Sequence, residues 1–388
     1  MTANPVIEML GRRLRLALIG GGPGSFIGAT HRQAARFDNR YEIVAGVLSS
    51  DPEKSKRAGV EIGLAADRAY GSVSDMLTAE ADRADGADVV AIMTPNDTHF
   101  DYASAALAHG FDVICDKPMT NTLEEAQALH DQVEETGLVF CLTHNYSGYP
   151  LVRQAKAMVD DGQLGTIRLV QVEYVQGGKA FEDDPDPSES WNFDPARGGP
   201  SSVLGEIGCH AHHLVRFISG LEVEEVSAET GAVVPGRIID DFAGALLHFN
   251  NGARGSFWVT QAAAGVENCL RIRVSGTKGS LEWNQEHPQS LMFKPLNGPA
   301  QSRTPNDPAT LPLAKHASRL VAGHPEGFHA AFANIYADAA EAIAARRSGK
   351  QADPLSLVFP NSEDGLLTLK FIASVIESSN ADGKWTRC

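Results

Sequence analysis

The chain has 388 residues, and a chain of this length can form two domains that each have a hydrophobic core. Its formal net charge of −16 argues against nucleic acids and anionic membranes as partners. The five cysteines include no Cys-x-x-Cys pair, and the N-terminus lacks the basic start and apolar core of a signal peptide. We therefore expect a cytoplasmic protein that binds neither nucleic acid nor a membrane.

The first predicted element is an apolar strand, residues 13–19, that runs into the glycine-rich segment 20–28. A strand followed by glycines and a helix is typical of a dinucleotide-binding turn, where the backbone approaches a pyrophosphate and the helix offers free N–H groups. Either Ser25 or Gly28 takes the third glycine position of that pattern, and an ordinary strand-to-helix turn is the alternative. The candidate cofactor contacts in this segment are Gly20, Gly22, Gly24, Ser25, Phe26 and Ile27.

The second predicted strand, residues 41–48, ends where the adenosine ribose lies in a mononucleotide-binding fold. Ser50 and Asp51 are therefore candidate cofactor contacts. Asp51 can accept the ribose hydroxyls, or it can cap the helix that follows it. We expect NAD as the cofactor. NADP is not excluded, because three basic residues that could meet its 2′-phosphate lie nearby at positions 54, 56 and 57.

Further predicted strands cover residues 87–93, 111–116 and 138–143, with helices between them. This alternation predicts a Rossmann fold, a doubly wound parallel sheet, over residues 1–143. Ligands of such sheets lie at the carboxyl ends of the strands, so polar residues that follow the strands are candidate cofactor contacts. These residues are Thr94, Pro95, Asn96, His99, Asp116 and Lys117. For Lys117, a solvated loop lysine is the alternative.

Residues 144–388 are predicted to form an α+β domain with a large, mostly antiparallel sheet. A long strand is predicted at 166–175, and hairpins are predicted at 242–260 and 270–283, the first with Asn-Gly at its turn. Apolar helices are predicted at 327–346 and 361–377. Segments 183–189 and 295–313 are rich in proline and polar residues, which predicts exposed loops.

A helix that ends at Gly220 is predicted to carry Glu206 and His210 on one face, because they are four residues apart. A carboxylate beside an imidazole orients the ring, and histidine titrates where proton transfer is useful at neutral pH. One alternative is a structural role for both residues. Another is a metal site that adds His213, but the HExxH spacing is missing and we expect no metal.

Taken together, the glycine turn, Thr94-Pro-Asn-Asp-Thr-His99, Cys115-Asp-Lys-Pro118 and Glu206-Ile-Gly-Cys-His210 resemble the glucose–fructose oxidoreductase, inositol dehydrogenase and MocA (Gfo/Idh/MocA) family over nearly the whole chain. In that family a Glu-Lys-Pro lysine lies at the nicotinamide, and an Asp-x-x-x-His helix supplies the proton acceptor. The resemblance implies an NAD(P)-dependent dehydrogenase with Lys117, His210 and Glu206 as catalytic residues. Lys117 near His210 would disfavour the imidazolium, lower the pKa of His210 and keep it ready to accept a proton.

The resemblance also implies that the substrate is a sugar, glycoside or cyclitol with a secondary hydroxyl. We expect its hydroxyls to meet Asn145, Tyr146, Trp191, Arg197 and His213, although each of these residues has a structural alternative. The resemblance gives residues 144–388 the role of a substrate-binding and oligomerisation domain. The family pairs subunits through its sheet, which implies a homodimer or homotetramer. Two other functions stay open, namely redox-neutral, NAD-dependent glycoside cleavage and non-catalytic nucleotide sensing.

Overall fold

The structure is a computed structural model that describes residues 4–180 and 191–388. The described chain divides into two compact units. Unit 1 contains the described parts of Met1–Thr120, Glu124–Asn145 and Phe328–Leu366, and unit 2 contains those of Asn121–Leu123, Tyr146–Gly327 and Leu367–Cys388. This division differs from the predicted single boundary after residue 143, because Phe328–Leu366 returns to unit 1.

The strands of the described residues form one sheet of five strands and one of nine. In chain order they are β1 Leu14–Gly20, β2 Tyr41–Val47, β3 Val89–Met93, β4 Asp112–Cys115, β5 Phe140–Leu142, β6 Ile167–Val175, β7 Val223–Gly231, β8 Phe242–Phe249, β9 Arg254–Thr260, β10 Cys269–Gly276, β11 Gly279–Asn284, β12 Leu291–Pro295, β13 Gln301–Arg303 and β14 Thr386–Arg387.

The α-helices alternate with these strands in the first part of the chain and become sparser after it. In chain order they are α1 Pro5–Leu10, α2 Phe26–Phe37, α3 Pro52–Glu61, α4 Val73–Asp82, α5 His99–Ala108, α6 Leu123–Thr136, α7 Pro150–Asp160, α8 Pro195–Gly198, α9 Cys209–Ser219, α10 Pro312–His316, α11 Phe328–Ser348 and α12 Ser362–Asn380. No helix in the described ranges is both long and apolar enough to cross a membrane.

Unit 1 contains a parallel sheet with the strand order β2-β1-β3-β4-β5, which confirms the predicted Rossmann fold. Strand β3 is buried along its whole length, as expected for a parallel strand that helices cover on both faces. The chain order reverses between β1 and β3, where Gly20 pairs with Met93. In doubly wound sheets this reversal opens the crevice in which a ligand binds.

Helix α11 belongs to the core of unit 1 because it is apolar on nearly every side. Its alanine-rich sequence leaves residues 330–345 buried, and a helix that is apolar all round must be enclosed. It packs against α2 and α1. The sequence predicts this helix correctly, but the helix alone does not indicate which domain encloses it.

Unit 2 contains a sheet with the order β13-β12-β11-β10-β6-β9-β8-β7-β14. Its strand pairs are antiparallel except for β6 and β9, which are parallel, so the prediction of a large, mostly antiparallel sheet is confirmed. Both predicted hairpins form, and Gly252 has a positive φ of 83° at the turn between β8 and β9. Helix α9 packs against β6, β9 and β10, and α7 packs against β11 and β12.

The two segments that the sequence predicts to be exposed loops have different outcomes. The segment 295–313 is not wholly a loop, because it contains β13 and the start of α10. Strand β13 pairs antiparallel with its chain neighbour β12 at the edge of the sheet, as a local hairpin within a segment rich in proline and polar residues. The segment 183–189 lies outside the described residues.

Candidate active site

The glycine turn of unit 1 is closely packed where β1 meets α2. A Cβ atom added to Gly28 would lie 2.2 Å from the backbone oxygen of Gly21, and one added to Gly22 would lie 2.5 Å from the backbone oxygen of Leu48. Gly20 has a positive φ of 83°. Of the two residues proposed for the third glycine position, Gly28 therefore serves the close packing of helix on strand.

The N-terminus of α2 fits the pyrophosphate of a dinucleotide. Ser25 caps the helix by accepting a hydrogen bond of 3.1 Å from the Gly28 N–H, while the other first-turn N–H groups and the helix dipole favour an anion. Gly24 has a φ of 88°, and a Cβ atom added there would meet nothing within 4 Å, so the turn is open on that side. Phe26 is exposed, and Ile27 is half-buried. This open turn and helix terminus are suited to cradle NAD.

Ser50 and Asp51 follow β2 at the surface. Asp51 caps α3, because its Oδ1 accepts a hydrogen bond of 2.7 Å from the Lys54 N–H. The capping interpretation of Asp51 thus holds in the structure, and a contact with the ribose stays a prediction. Lys56 lies 3.2 Å from Glu53 in an exposed ion pair.

His99 links two of the turns that are predicted to contact the cofactor. The ring is buried, with Nδ1 2.8 Å from the Pro118 carbonyl oxygen and Nε2 3.0 Å from the Thr94 carbonyl oxygen. Burial lowers the pKa of His99, so the ring is neutral and donates to one carbonyl at a time. Asn96 is buried in the turn Asn96–Thr98 that follows Pro95. His99 thus holds the segment from inside rather than presenting a free ring nitrogen to a ligand.

Asp116 precedes Lys117 at the carboxyl end of β4. Its Oδ1 accepts a hydrogen bond of 2.6 Å from the Thr143 hydroxyl and lies 3.9 Å from Nε2 of His31. Burial would raise the pKa of Asp116, but His31, Lys117 and Thr143 outweigh it and hold that pKa well below its usual range. The carboxylate is therefore charged beside the partly exposed Lys117.

In unit 2 the predicted base lies just after a turn of π-helix, Leu204–Gly208, which leads directly into α9. Such single π-turns recur at functional sites because they widen the helix and redirect its side chains. The Cys209 thiol donates to the Gly205 carbonyl at 3.1 Å, which is a packing role. Gly220 ends α9 in the left-handed conformation, as predicted.

His210 is nearly buried, and aromatic rings border it. The Tyr146 ring lies edge-on to it with the centroids 5.0 Å apart, and the Tyr174 ring lies 6.5 Å away. The two tyrosine hydroxyls bond to each other, and the Tyr174 hydroxyl donates to Asn268 at 2.9 Å. Tyr146, predicted to bind substrate, thus packs against the candidate base.

Glu206 contacts two residues that the sequence analysis missed. Its Oε1 lies 2.8 Å from the ammonium of Lys179, and its Oε2 accepts a hydrogen bond of 2.8 Å from the side-chain amide of Gln261. Gln261 in turn donates to Gln176 at 3.2 Å. The available signal was that Gln261 directly follows β9 and that Lys179 lies four residues after the end of β6. Their convergence depends on the parallel pairing of those two strands.

The other predicted substrate residues occupy different places. Asn145 is buried and belongs to unit 1, whereas Trp191 lies half-buried in a short turn and Arg197 is exposed on α8. His213 is buried beside Phe217, and burial, with a smaller effect of Arg216, lowers its pKa to about 3. His213 is therefore a neutral core side chain. Within the described ranges no group of three or more acidic, histidine or cysteine side chains is arranged to hold a metal ion.

Comparison with known proteins identifies relatives of both parts of the chain. Residues 14–144 match an oxidoreductase family with an NAD-binding Rossmann fold, and residues 152–282 match a GFO/IDH/MocA C-terminal domain. The oxidoreductase YfiI of Bacillus subtilis is 34% identical over 97% of this chain and 98% of its own length. Levoglucosan dehydrogenase of Pseudarthrobacter phenanthrenivorans is 30% identical over 72% of this chain and 76% of its own length.

Among solved structures, an inositol dehydrogenase homologue from Azotobacter vinelandii, complexed with NADH and myo-inositol, is 33% identical with a TM-score of 0.90. The match covers 98% of this chain and 99% of that one. The chain therefore belongs to the Gfo/Idh/MocA family of NAD-dependent oxidoreductases, which confirms the predicted family, enzyme class and cofactor.

Proposed function

We propose that the protein is a dehydrogenase that oxidises a secondary hydroxyl of a sugar, glycoside or cyclitol with NAD as the acceptor. The observation that carries the proposal lies in unit 2. Glu206 lies in the π-helical turn, and His210 lies at the start of α9, which follows it directly. The groups around Glu206 include both hydrogen-bond donors and acceptors, namely the ammonium of Lys179 and the side-chain amides of Gln261 and Gln176. Such a mixture suits a ligand with several hydroxyl groups, because each hydroxyl can both donate and accept a hydrogen bond.

His210 is the proposed general base. A neutral imidazole nitrogen accepts the proton of the substrate hydroxyl while the C–H bond of the same carbon gives up its hydride. The rings of Tyr146 and Tyr174 border the imidazole and limit its rotation, which keeps the accepting nitrogen in place. Proton acceptance by a positioned side chain contributes about 10²–10⁴-fold in rate.

Unit 1 is proposed to hold the cofactor through its glycine turn and through Lys117. When bound, NAD supplies the nicotinamide that accepts the hydride. Lys117 donates hydrogen bonds at the nicotinamide ribose or at a substrate hydroxyl, and the charged Asp116 keeps a negative charge next to it. His99 holds the turns around Lys117 in place.

The substrate class draws support from the relatives. One is named for levoglucosan, an anhydrosugar, and one solved homologue was complexed with myo-inositol, a cyclitol. Both compounds are uncharged and carry secondary hydroxyls, so they belong to the class proposed for this protein.

The test is NADH absorbance after the protein is mixed with NAD and a panel of inositols, pyranoses, anhydrosugars and glycosides. We expect turnover of at least one compound, and a fall in kcat of about 100-fold or more in His210→Asn and Lys117→Met. His109→Asn, which changes an exposed histidine at the end of α5, is the matched control and keeps full activity. Titration with NADH, followed by fluorescence, should show that His210→Asn still binds cofactor.

Two results would contradict the proposal. Release of a free sugar from a glycoside without net formation of NADH would indicate redox-neutral cleavage. Full activity of His210→Asn on the compound that the native protein oxidises would exclude His210 as the base.

We also propose a homodimer or homotetramer that forms through the outer face of the nine-stranded sheet. On this face Leu169, Trp258 and Leu246 are between 49% and 58% exposed on the neighbouring strands β6, β9 and β8, and Met292 is 42% exposed on β12. None of the five cysteines, all of which lie within the described residues, forms a disulfide, which supports the proposed reducing, cytoplasmic location.

A further inference from the structure

We propose that Lys179 is a positioning residue that, together with Gln261, fixes the carboxylate of Glu206 for hydrogen bonding to the hydroxyls of an uncharged polyol. This inference rests on the proposed function, because it assigns the substrate-hydroxyl acceptor of that same site. It also predicts that the site prefers uncharged substrates over anionic ones.

The strand pairing explains why Lys179 and Gln261 meet. Strands β6 and β9 run parallel, so their carboxyl ends lie at the same edge of the sheet. Beyond these ends the backbone stays paired, with the Lys179 N–H donating to the Gln261 carbonyl at 3.0 Å and the Gln176 N–H donating to the Thr260 carbonyl at 2.8 Å. Lys179 and Gln261 are thus placed by backbone geometry before their side chains reach Glu206.

The two oxygens of Glu206 face different partners, an ion pair on one and a hydrogen bond on the other. Lys179 lies 2.8 Å from Oε1 and Gln261 lies 2.8 Å from Oε2, so the carboxylate plane is fixed from both sides. An ionised carboxylate offers about four lone-pair sites, two on each oxygen. Lys179 and Gln261 each use one such site, and we assign a further site of this carboxylate to a hydroxyl of the polyol.

Lys179 is itself held in place. Its ammonium lies 4.9 Å from the centre of the Phe193 ring and 3.3 Å from the Ser202 hydroxyl. The side chain is 16% exposed and that of Glu206 is 22% exposed, so water screens their attraction less than on an open surface. A lysine restrained by a ring, a hydroxyl and a carboxylate is suited to position Glu206.

The charges of this pair predict which substrates are selected. The proposed contact with the ligand is made by Glu206, whose carboxylate accepts a hydrogen bond from a hydroxyl but has no proton to donate to a second carboxylate. A sugar acid would instead bring a second carboxylate beside Glu206, and like charges at close range repel each other. We therefore expect neutral polyols and sugars to be preferred over the corresponding uronic acids.

The experiment compares Lys179→Met, Lys179→Arg, Glu206→Gln and the double variant Lys179→Met/Glu206→Gln with the native protein. The neutral substrate that turns over best in the panel and its uronic acid serve as probes. We expect Lys179→Met to raise KM about tenfold with a smaller change in kcat, since it removes a charge-assisted contact. Lys179→Arg keeps the charge and should restore KM to within a few-fold of native. Lys315→Met, at an exposed lysine of α10, is the control.

Two further readouts separate positioning from a general structural role. In the double variant the loss should be smaller than the product of the two single losses, because both changes break the same contact. Glu206→Gln should lower the preference for the neutral substrate over the uronic acid about tenfold. Calorimetric titration of the polyol into protein saturated with NADH should show the Lys179→Met loss as weaker binding, independently of turnover.

Either of two results would overturn the inference: a polyol affinity of Lys179→Met within about twofold of native, or single-variant losses that multiply in the double variant. The proposed function would stay intact in both cases if the native protein oxidises the polyol. If native protein neither oxidises nor binds any polyol, the proposed function fails first, and this inference fails with it. If Lys179→Met does not fold, Lys179→Gln replaces it in the same experiment, because its side chain keeps a hydrogen-bond donor but lacks the charge.

Discussion

Nδ1 of His31 lies 2.6 Å from the hydroxyl oxygen of Tyr336, although the two residues are 305 positions apart in the chain. Both side chains are fully buried. The bond joins α2, whose N-terminus forms the dinucleotide turn, to α11. The Tyr41 hydroxyl also donates to the Tyr336 carbonyl at 2.8 Å. Helix α11 is therefore part of the frame that supports the cofactor turn.

Tyr336→Phe should lower the free energy of unfolding by about 1–3 kcal/mol, because it leaves a buried ring nitrogen of His31 without its hydroxyl partner. Urea unfolding followed by circular dichroism measures the change. Tyr102→Phe, at a half-buried tyrosine of α5, is the matched control and should stay within about 0.5 kcal/mol of native. Equal stability of both variants would show that the His31 contact contributes nothing.

Gly28→Ala should weaken both folding and NADH binding. The new methyl group would lie 2.2 Å from the Gly21 backbone oxygen, so the turn and α2 must move apart. We expect a cost of about 1–3 kcal/mol in stability, as for other overpacked sites. Thermal unfolding and a fluorescence titration with NADH measure the two effects.

Gly231→Ala is the control for Gly28→Ala, since a Cβ atom at Gly231 would meet nothing within 4 Å. It should leave NADH binding unchanged. If Gly28→Ala binds NADH as tightly as the native protein, the packing of Gly28 on Gly21 does not shape the cofactor turn.

The contrast between Gly28 and Ser25 shows what the sequence can predict about this site. Alternating strands and helices predict the Rossmann sheet and place its polar residues at the carboxyl ends of the strands. Which residue fills the third glycine position depends on the distance between two backbones, and that distance appears in the structure. The same holds for Asp51, whose capping bond is a matter of local geometry.

Lys179 and Gln261 lay beyond sequence reasoning for a different reason. They are 82 positions apart, and each looks like an ordinary polar residue after a strand. They become neighbours because β6 pairs in parallel with β9, inside a sheet whose other pairs are antiparallel. Hairpin signals predict local antiparallel pairs, but they carry no information on which distant strands lie side by side.

Asp88 should make the stability of unit 1 depend on pH. The side chain is buried, and it receives hydrogen bonds from Arg12 at 2.6 and 2.9 Å and from the Arg15 N–H at 2.8 Å, while Arg347 lies 2.9 Å away. Burial would raise the pKa of Asp88, but these partners outweigh burial and lower it. Its charged form therefore stabilises the fold above the unfolded-state pKa of about 3.9, and this stabilisation is lost as the pH falls through the lower folded-state pKa.

Asp88→Asn should therefore cost about 1–3 kcal/mol at pH 7, and the difference from native should shrink below pH 4. Urea unfolding at pH 7 and pH 3 measures it. The difference between variant and native is the quantity to compare, because burial raises the pKa of the neighbouring Asp112 and acts with the opposite sign. Asp382→Asn, at an exposed position, is the control. A difference that stays constant with pH would exclude Asp88 as the titrating group.

The proposed subunit contact leads to the last prediction. Trp258 and Leu246 lie on the neighbouring strands β9 and β8 and are 49% and 58% exposed, with the Phe242 ring packed 4.6 Å from the Trp258 ring. Large aromatic side chains at the centre of an interface often carry 2 kcal/mol or more of association free energy. Trp258→Arg with Leu246→Arg should therefore shift the mass measured by light scattering toward the monomer.

Val60→Arg is the matched control for the double substitution, because Val60 is 56% exposed on α3 of unit 1 and should leave the mass unchanged. Circular dichroism should show that the double variant keeps its fold, since both side chains point away from the core side of the sheet. An unchanged mass of the folded double variant would exclude this face as the contact between subunits. A monomeric native protein would exclude the oligomer itself, and the exposed apolar side chains of this face would then need another partner to cover them.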